Sequence, residues 1–170
     1  MKRNDPKEQE FIARVEEHQG ILHKIVFLYA GNRSDREDLM QEITLQLWKS
    51  YGSFRGESSF STWMYRVALN TAISATKKAP WTGDRAEPRI PSFDPDASMD
   101  ASEEIRILYR AIAQLNKIDR AVILLWLDQI PYREIADTMG LSEKNVSVKL
   151  VRIKARLATL IEKLQGHARN

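Results

Sequence analysis

A proline-rich segment, residues 78–100, divides this chain into two parts. It reads KAPWTGDRAEPRIPSFDPDASMD and holds four of the six prolines. Proline lacks a backbone donor and its ring clashes with the preceding turn of a helix, so no regular helix crosses this segment. On either side the apolar residues recur with the helical period, and no stretch alternates as a strand does. The sequence therefore predicts an all-α protein, with small helical domains over 1–78 and 101–170 joined by a flexible acidic linker, 79–100.

The composition excludes several classes of protein. Hydrophobic residues make up 43% of the chain, which is enough for a core. The longest apolar run, AVILLWL at 121–127, is far shorter than the ~20 residues that a membrane helix needs, and the N-terminal MKRNDPKEQE is unlike a secretory signal. The chain has no cysteine, so disulfides and thiolate zinc sites are excluded. No nucleophile elbow, phosphate-binding glycine loop or metal-ligand spacing is present, so we expect neither catalysis nor a metal or other cofactor.

Charge is unevenly distributed, although the net charge is only +3. Residues 142–170 carry seven Lys and Arg against two Glu, whereas 84–104 carry two Arg against seven acids. A basic C-terminal segment is typical of proteins that bind an anionic partner. A solvated helix face produces the same pattern, so charge alone does not decide between the two.

The segment PYREIADTMGLSEKNVSVKLVRIKARL, at 131–157, has the spacing of a helix-turn-helix. Ala136 supplies the small residue that two crossing helices need. Gly140 stands where the turn requires a positive φ, and Ser142 can cap the following helix. Such motifs commonly bind DNA, although they also occur in proteins that do not.

The last helix predicts a DNA-binding face more specifically. At 100° per residue its apolar residues from Val146 to Leu164 form one narrow stripe, and the opposite side carries Val148 and Val151 among basic residues. A merely solvated face does not need two valines, whereas a face in the major groove can set them against thymine methyl groups. The candidate DNA-binding residues are Ser142, Lys144, Asn145, Ser147, Val148, Lys149, Val151, Arg152 and Arg156.

A helix is predicted over 34–50 in the N-terminal half, with Ser34 and Glu37 as a capping box. Its outer face is apolar. Its core side carries Leu39, Met40, Ile43 and Leu47, and its outer side carries Gln41, Leu45 and Trp48 beside Asp38 and Glu42. An apolar patch rimmed by acids is typical of a protein-binding surface, and the acids argue against DNA. The alternative is that the patch packs on another helix of the same domain.

The stretch SFSTWMYRVALN, at 59–70, places aromatic residues beside a cation and an amide, just before and along a helix predicted over 62–77. Trp63, Arg66, Asn70 and Lys77 share a polar wedge, on which an unstacked base can bind. The alternative for these aromatics is core packing. We assign Tyr65 to the core and Trp63 to the wedge, and leave Phe60 open between a helix staple and a loop contact.

Two stretches together resemble one family. They are DREDLMQEITLQLWKSYGSFRGESSFSTWMYRVALNTAIS and LDQIPYREIADTMGLSEKNVSVKLVRIKARL. In this order they are similar to the bacterial RNA polymerase sigma factors of the extracytoplasmic-function (ECF) group, in the sigma-70 family. The resemblance covers about residues 10–78 and 101–164. It implies a region that binds polymerase and melts the promoter, followed by a module that reads the −35 element.

The resemblance also implies partners and site residues. Core RNA polymerase would be bound through its β′ coiled coil and its β flap, promoter DNA as a duplex at −35 and a single strand at −10, and an anti-sigma factor is a further partner it allows. The residues matching the β′ contact are Asp38, Leu39, Gln41, Glu42, Leu45 and Trp48. Those assigned to the −10 strand are Phe60, Trp63, Arg66, Asn70 and Lys77. Such a protein is a cytoplasmic specificity subunit of transcription initiation and not an enzyme.

Two points stay open at this stage. Many relatives carry Lys or Arg early in the recognition helix, where this chain has Ser147 and Val148, so the −35 sequence cannot be copied from a relative. Two other functions also fit the residues. One is a helix-turn-helix regulator that dimerises through the Leu45–Trp48 face, and the other is a helical adaptor whose basic helix binds acidic proteins.

Overall fold

The computed structural model describes residues 5–77 and 102–169, which form helices and no strands. This confirms the all-α prediction. The helices of the first half are α1 (Pro6–Glu17), α2 (Gln19–Tyr29), α3 (Arg33–Tyr51) and α4 (Phe60–Lys77), and those of the second half are α5 (Glu103–Ala113), α6 (Lys117–Leu127), α7 (Tyr132–Met139) and α8 (Glu143–Ala168). The predicted linker, 79–100, lies outside the described residues, and the domain boundaries stay predictions.

Short polar side chains fix where the helices begin. Asp5 accepts from the backbone N–H of Lys7 and is followed by Pro6, a residue well suited to the first position of a helix. The predicted start of α3 at Ser34 is wrong. Asn32 caps it, accepting from the N–H of Asp35 at 2.8 Å and donating to the Asp35 carboxylate at 2.7 Å. The Asn32 side-chain carbonyl oxygen satisfies one backbone N–H of the first turn, and the bond to the Asp35 carboxylate orients the cap.

The first half packs α4 against α2 and α3. Ile25, Ile43, Leu47, Met64 and Leu69 come from these three helices and have no exposed surface. Ile43 and Leu47 are one turn apart, so a single side of α3 supplies both of them to this core. Helix α4 begins at Phe60, so this residue lies in the first turn and not before the helix.

The second half contains the helix-turn-helix, formed by α7 and α8. Gly140 has φ 66°, the left-handed conformation that the sequence predicted for this turn. Ala136 is buried at the crossing, and the Ser142 hydroxyl accepts from the N–H of Asn145 at 3.1 Å. On α8, the predicted stripe is buried from Val146 through Leu160. The motif is therefore built as its residues predicted.

The two halves pack against each other in this structure. Helix α4 contacts α6 and α7, α2 contacts α5, and the buried residues of both halves form one hydrophobic cluster. Polar contacts cross the same boundary. The Tyr29 hydroxyl donates to the carbonyl of Lys117 at 2.6 Å, and Arg120 Nη1 donates to the carbonyl of Leu28 at 2.7 Å. Nothing in the sequence predicted this interface.

The turn of the helix-turn-helix gives a stability prediction. Gly140→Ala adds a Cβ that meets no atom, so its whole effect is the left-handed backbone. We expect the free energy of unfolding to fall by about 1–2 kcal/mol in urea titrations followed by circular dichroism. Gly20→Ala is the matched control, since Gly20 also has open space but is helical, and it should raise stability by about 0.5–1 kcal/mol. Equal effects of the two substitutions would contradict this account of the turn.

Candidate nucleic-acid interface

The outer face of α8 is exposed along most of the predicted DNA-binding residues. Val151 is 69% exposed and Val148 is 42% exposed, which is unusual for valine on a helix whose opposite side is fully packed. The side chains exposed around them are Lys144, Asn145, Ser147, Arg152 and Arg156. Within the described residues Lys144, Arg152 and Arg156 make no ion pair, so their charge is available to an anionic partner.

Two of the predicted residues on α8 have structural contacts of their own. Lys149 is partly buried, and its Nζ lies 3.5 Å from the Asp119 carboxylate at the start of α6. The ion pair turns this cation toward its own domain and away from the exposed face. Ser142 is exposed, but its hydroxyl already caps α8. The exposed face is therefore centred on Val148, Val151 and Arg152.

The outer face of α3 is also uncovered. Asp38, Gln41 and Glu42 are exposed, and Leu45 and Trp48 keep 44% and 39% of their surface. Trp48 rests on Phe11 of α1, with ring centroids 5.1 Å apart, which fixes its orientation without burying it. The alternative that this patch packs on another helix of the same domain holds in part, because Trp48 contacts α1, while Leu45 and the polar residues around it stay exposed.

Leu39 does not belong to the exposed patch. It is 7% exposed and lies on the core side of α3, one and two turns before Ile43 and Leu47. Its side chain supports the helix from beneath and is not available for contact on the surface. The assignment of Leu39 to the partner-binding face is therefore corrected.

An aromatic cluster lies at the start of α4. Phe54, Phe60 and Trp63 pack with ring centroids 5.2–5.7 Å apart, and Tyr51 lies against them. The Arg14 guanidinium sits over the rings of Phe60 and Phe54, at 5.6 and 6.0 Å. Trp63 is only half-buried here, so it packs and still presents an edge to solvent.

An open cleft of about 430 Å³ adjoins this cluster. Its walls come from α1 and from the loop between α3 and α4, and its lining residues are Lys7, Glu10, Arg14, Tyr51, Gly52, Phe54 and Gly56. The sequence analysis missed Lys7 and Arg14, which lie about 40 residues before this loop. Their spacing with Glu10 places all three on one face of α1, and this was the available signal.

Two of the four residues predicted for the polar wedge on α4 are exposed side chains in the structure. Arg66 and Asn70 are exposed one turn apart, beyond the aromatic cluster. Lys77 ends the helix, and its side chain lies outside the described residues. Tyr65 is 1% exposed and packs in the core, as predicted. Trp63, Arg66 and Asn70 thus share one face of α4, and the cleft adjoins the aromatic cluster at the start of that helix.

Other kinds of site are not found in the part of the chain that the structure describes. No three His, Asp or Glu side chains within it are grouped so as to hold a metal ion. No helix within it is both long enough and apolar enough to cross a bilayer.

Comparison with known protein families shows which family the chain belongs to and in which region each surface lies. The model of sigma-70 region 2 matches residues 14–82, and that of sigma-70 region 4 matches residues 105–157. The chain belongs to the sigma-70 family. Its exposed α3 face and α4 surface lie in region 2, and its helix-turn-helix lies in region 4. The family resemblance drawn from the two sequence motifs is confirmed.

Curated relatives place the chain in the ECF group of this family. It is 30% identical to the ECF RNA polymerase sigma factor SigG of Mycobacterium tuberculosis, with 92% of this chain and 50% of that protein covered. It is also 30% identical to the ECF RNA polymerase sigma-E factor of Haemophilus influenzae, with 78% of each chain covered. The chain therefore spans about half the length of SigG and most of the length of the sigma-E factor.

A solved structure has the same fold. The sigma factor RpoE of Bartonella quintana, crystallised with the anti-sigma factor NepR, superposes with a TM-score of 0.70 over 91% of this chain and 96% of that one. The two sequences are 20% identical. This supports the helical architecture of both regions in a single chain.

Proposed function

We propose that this protein is a promoter-specificity subunit of bacterial RNA polymerase. It binds the core enzyme in the cytoplasm, reads the −35 and −10 elements and assists melting, while the polymerase supplies the chemistry of RNA synthesis. The observation that carries the proposal is the presence of sigma regions 2 and 4 in one chain, each with its predicted outer face exposed. The chain itself then needs neither a catalytic residue nor a cofactor.

Recognition of the −35 element falls to α8. A helix of this kind enters the major groove, where Val148 and Val151 can contact thymine methyl groups and Arg152 can reach a base edge or a phosphate. The unpaired cations Lys144, Arg152 and Arg156 displace counterions from the DNA backbone, so binding weakens as salt rises. The ion pair with Asp119 makes Lys149 a weaker contributor than its neighbours.

Melting at −10 falls to the surface along α4. A base that leaves the stack can enter the cleft between α1 and the loop 52–59, where Phe54 and Arg14 offer a flat face and a cation. Stacking on an aromatic side chain contributes ~1–3 kcal/mol per base, comparable to the cost of unstacking it. Capture of bases therefore traps an opening that thermal motion begins. Arg66 and Asn70 continue the path for the single strand.

Polymerase binding falls to the outer face of α3. Leu45 and Trp48 form the apolar centre, and Asp38 and Glu42 the acidic rim, of a surface suited to the β′ coiled coil. Region 4 then contacts the β flap. An anti-sigma factor is a further proposed partner, since the RpoE structure to which this chain is similar contains one.

Family membership favours this function over the two alternatives. A dimeric repressor would use the α3 face between two copies and bind a palindrome without polymerase. A helical adaptor would use α8 on an acidic protein and show no preference among DNA sequences. Both alternatives leave the region 2 surface along α4 without a role.

Two double variants test the proposed roles of α3 and α8 separately. Leu45→Ala with Trp48→Ala removes the apolar centre of the α3 face, and should lower affinity for core polymerase at least about tenfold. Val148→Ala with Val151→Ala shortens the apolar contacts of α8. It should leave core affinity unchanged and lower −35-dependent run-off transcription about tenfold. Each variant is the control for the other, since both truncate two exposed apolar side chains.

Affinity is measured by titrating labelled chain with core polymerase, and DNA reading by run-off from promoters with intact and scrambled −35 elements. Circular dichroism establishes that both variants keep their helices. A wild-type chain that binds a palindrome as a dimer and does not bind core polymerase would contradict the proposal. So would equal losses by both variants in both assays.

Melting is tested with a promoter that is already open. Trp63→Ala should lower initiation on duplex promoter by about tenfold or more, and on a pre-melted bubble by less than about threefold, because the bubble replaces the captured opening. Trp126→Ala is the matched control, as Trp126 is also half-buried but lies in region 4 under Lys154. It should affect both templates alike. The same result for Trp63→Ala would return Trp63 to a packing role.

A further inference from the structure

Two helices begin with the same capping pair, an asparagine followed three residues later by an aspartate. At the start of α3 this pair is Asn32 and Asp35. At the start of α6 the Asn116 side chain accepts from the N–H of Asp119 at 2.9 Å and donates to its carboxylate at 2.9 Å. Only the second pair meets a cation among the described residues, since Lys149 Nζ of α8 lies 3.5 Å from Asp119 Oδ1. Capping therefore explains both aspartates but not the ion pair with Lys149.

The Asp119 carboxylate is held in place before Lys149 approaches it. Asn116 bonds to one of its oxygens and Lys149 lies against the other. The Asp119 side chain is 20% exposed, so it has already lost most of its freedom to the helix cap. A charge that is both fixed and partly buried is also less screened by salt than a surface charge is. Asp119 is thus a preorganised anion at the edge of the DNA-binding face.

Lys149 stands among residues of that face. It lies four residues after Asn145 and three before Arg152, so the three side chains are neighbours on one side of α8. Asn145 and Arg152 are exposed, and Arg152 makes no ion pair within the described residues. The ammonium group of Lys149 ends a flexible four-carbon stem. Without Asp119 it would reach the same DNA phosphates as its neighbours.

The ion pair is loose enough to be exchanged. Its 3.5 Å separation exceeds the ~2.7–2.9 Å of a tight bond between an ammonium group and a carboxylate. The Lys149 side chain keeps 36% of its surface exposed, so a second anion can approach it. A DNA phosphate and the Asp119 carboxylate therefore compete for one ammonium group.

This competition acts on specificity. A cation that neutralises a phosphate strengthens binding to every DNA sequence, because phosphates carry no sequence information. A protein that must find few sites among many gains from a weaker sequence-independent contribution. The carboxylate withdraws one cation from that contribution. A phosphate recovers Lys149 when α8 is fully seated in the major groove, where base contacts hold the helix close to the backbone.

We propose that Asp119 is a specificity-determining residue of region 4, which acts by holding Lys149 away from phosphates until α8 is seated on its recognition sequence. This inference rests on the proposed function. Asp119 does not touch DNA in this account. It positions Lys149, and the selectivity comes from the difference between a seated and a loosely bound helix.

The salt dependence of DNA binding tests the restraint on Lys149. The full chain is titrated into a labelled duplex of non-promoter sequence at several salt concentrations, and binding is followed by fluorescence anisotropy. Asp119→Asn should make the slope of log affinity against log salt steeper by about 0.9, the value for one added phosphate contact, and raise affinity at low salt about threefold. Asp35→Asn is the matched control. It removes the same charge from the same kind of cap and should leave the slope unchanged.

A second background separates the ion pair from the general effect of charge. In a Lys149→Gln chain the substitution Asp119→Asn should change neither slope nor affinity, because the cation that it releases is absent. An unchanged slope in Asp119→Asn, an equal rise in Asp35→Asn, or a rise that persists with Lys149→Gln would each overturn the inference. Circular dichroism establishes that the variants keep their helices, and a purely structural role of Asp119 would lower stability without altering the salt slope.

Run-off transcription tests the consequence for promoter choice. With core polymerase, Asp119→Asn should lower the ratio of transcription from intact to scrambled −35 promoters about threefold, because the scrambled sequence gains a phosphate contact that the intact one already has. An unchanged ratio would overturn the inference while leaving the proposed function intact. A wild-type chain whose transcription is the same from both promoters would instead contradict the proposed reading of −35 by α8.

Discussion

The middle of helix α6, residues 121–125, is apolar on all sides, and helices from both halves of the structure cover it. Its residues 121–125 are at most 1% exposed. A helix of this kind is stable only when it is surrounded, because no face of it can remain in water. Helices α5, α7 and α8 cover part of it, and α4 covers another part from the first half. The contact between the two halves therefore follows from the composition of α6.

The surfaces proposed for function are those that this core does not use. Helix α8 needs only a narrow stripe from Val146 to Leu160 for packing, which leaves Val148, Val151 and the arginines outside. Helix α3 buries Leu39, Ile43 and Leu47, which leaves Leu45 and Trp48 on its other side. Each helix thus serves the fold with one side and a partner with the other. The acids on α3 and the bases on α8 keep the two partners distinct.

Sequence reasoning succeeded where one residue type fits one local geometry. Gly140, Ala136 and Ser142 specified the helix-turn-helix because a left-handed turn, a close crossing and a helix cap each restrict the residues they accept. It failed where the choice depends on distant partners. Lys149 pairs with Asp119 of another helix, and no local pattern connects the two. The Asn32 cap of α3 is a different kind of miss, since its partner Asp35 is only three residues away.

Contacts between helices that are far apart in the sequence could not be predicted from helical periodicity either. The apolar run at 121–127 does not indicate which helices cover it, so the interface between the halves was missed. The cleft beside the aromatic cluster joins α1 to a loop some 40 residues later, and no local pattern connects them. Leu39 belonged to two overlapping patterns on α3, and only its buried side chain decides that it serves the core.

The central claim is that one chain directs polymerase through two separated DNA contacts, and mapping of transcription start sites tests it most directly. Core polymerase is incubated with genomic DNA with and without the purified chain, and the 5′ ends of the transcripts are sequenced. The account predicts new start sites that share one motif near −10 and a second near −35 at fixed spacing. Start sites that are unchanged by the chain, or that share no paired motifs, would contradict it.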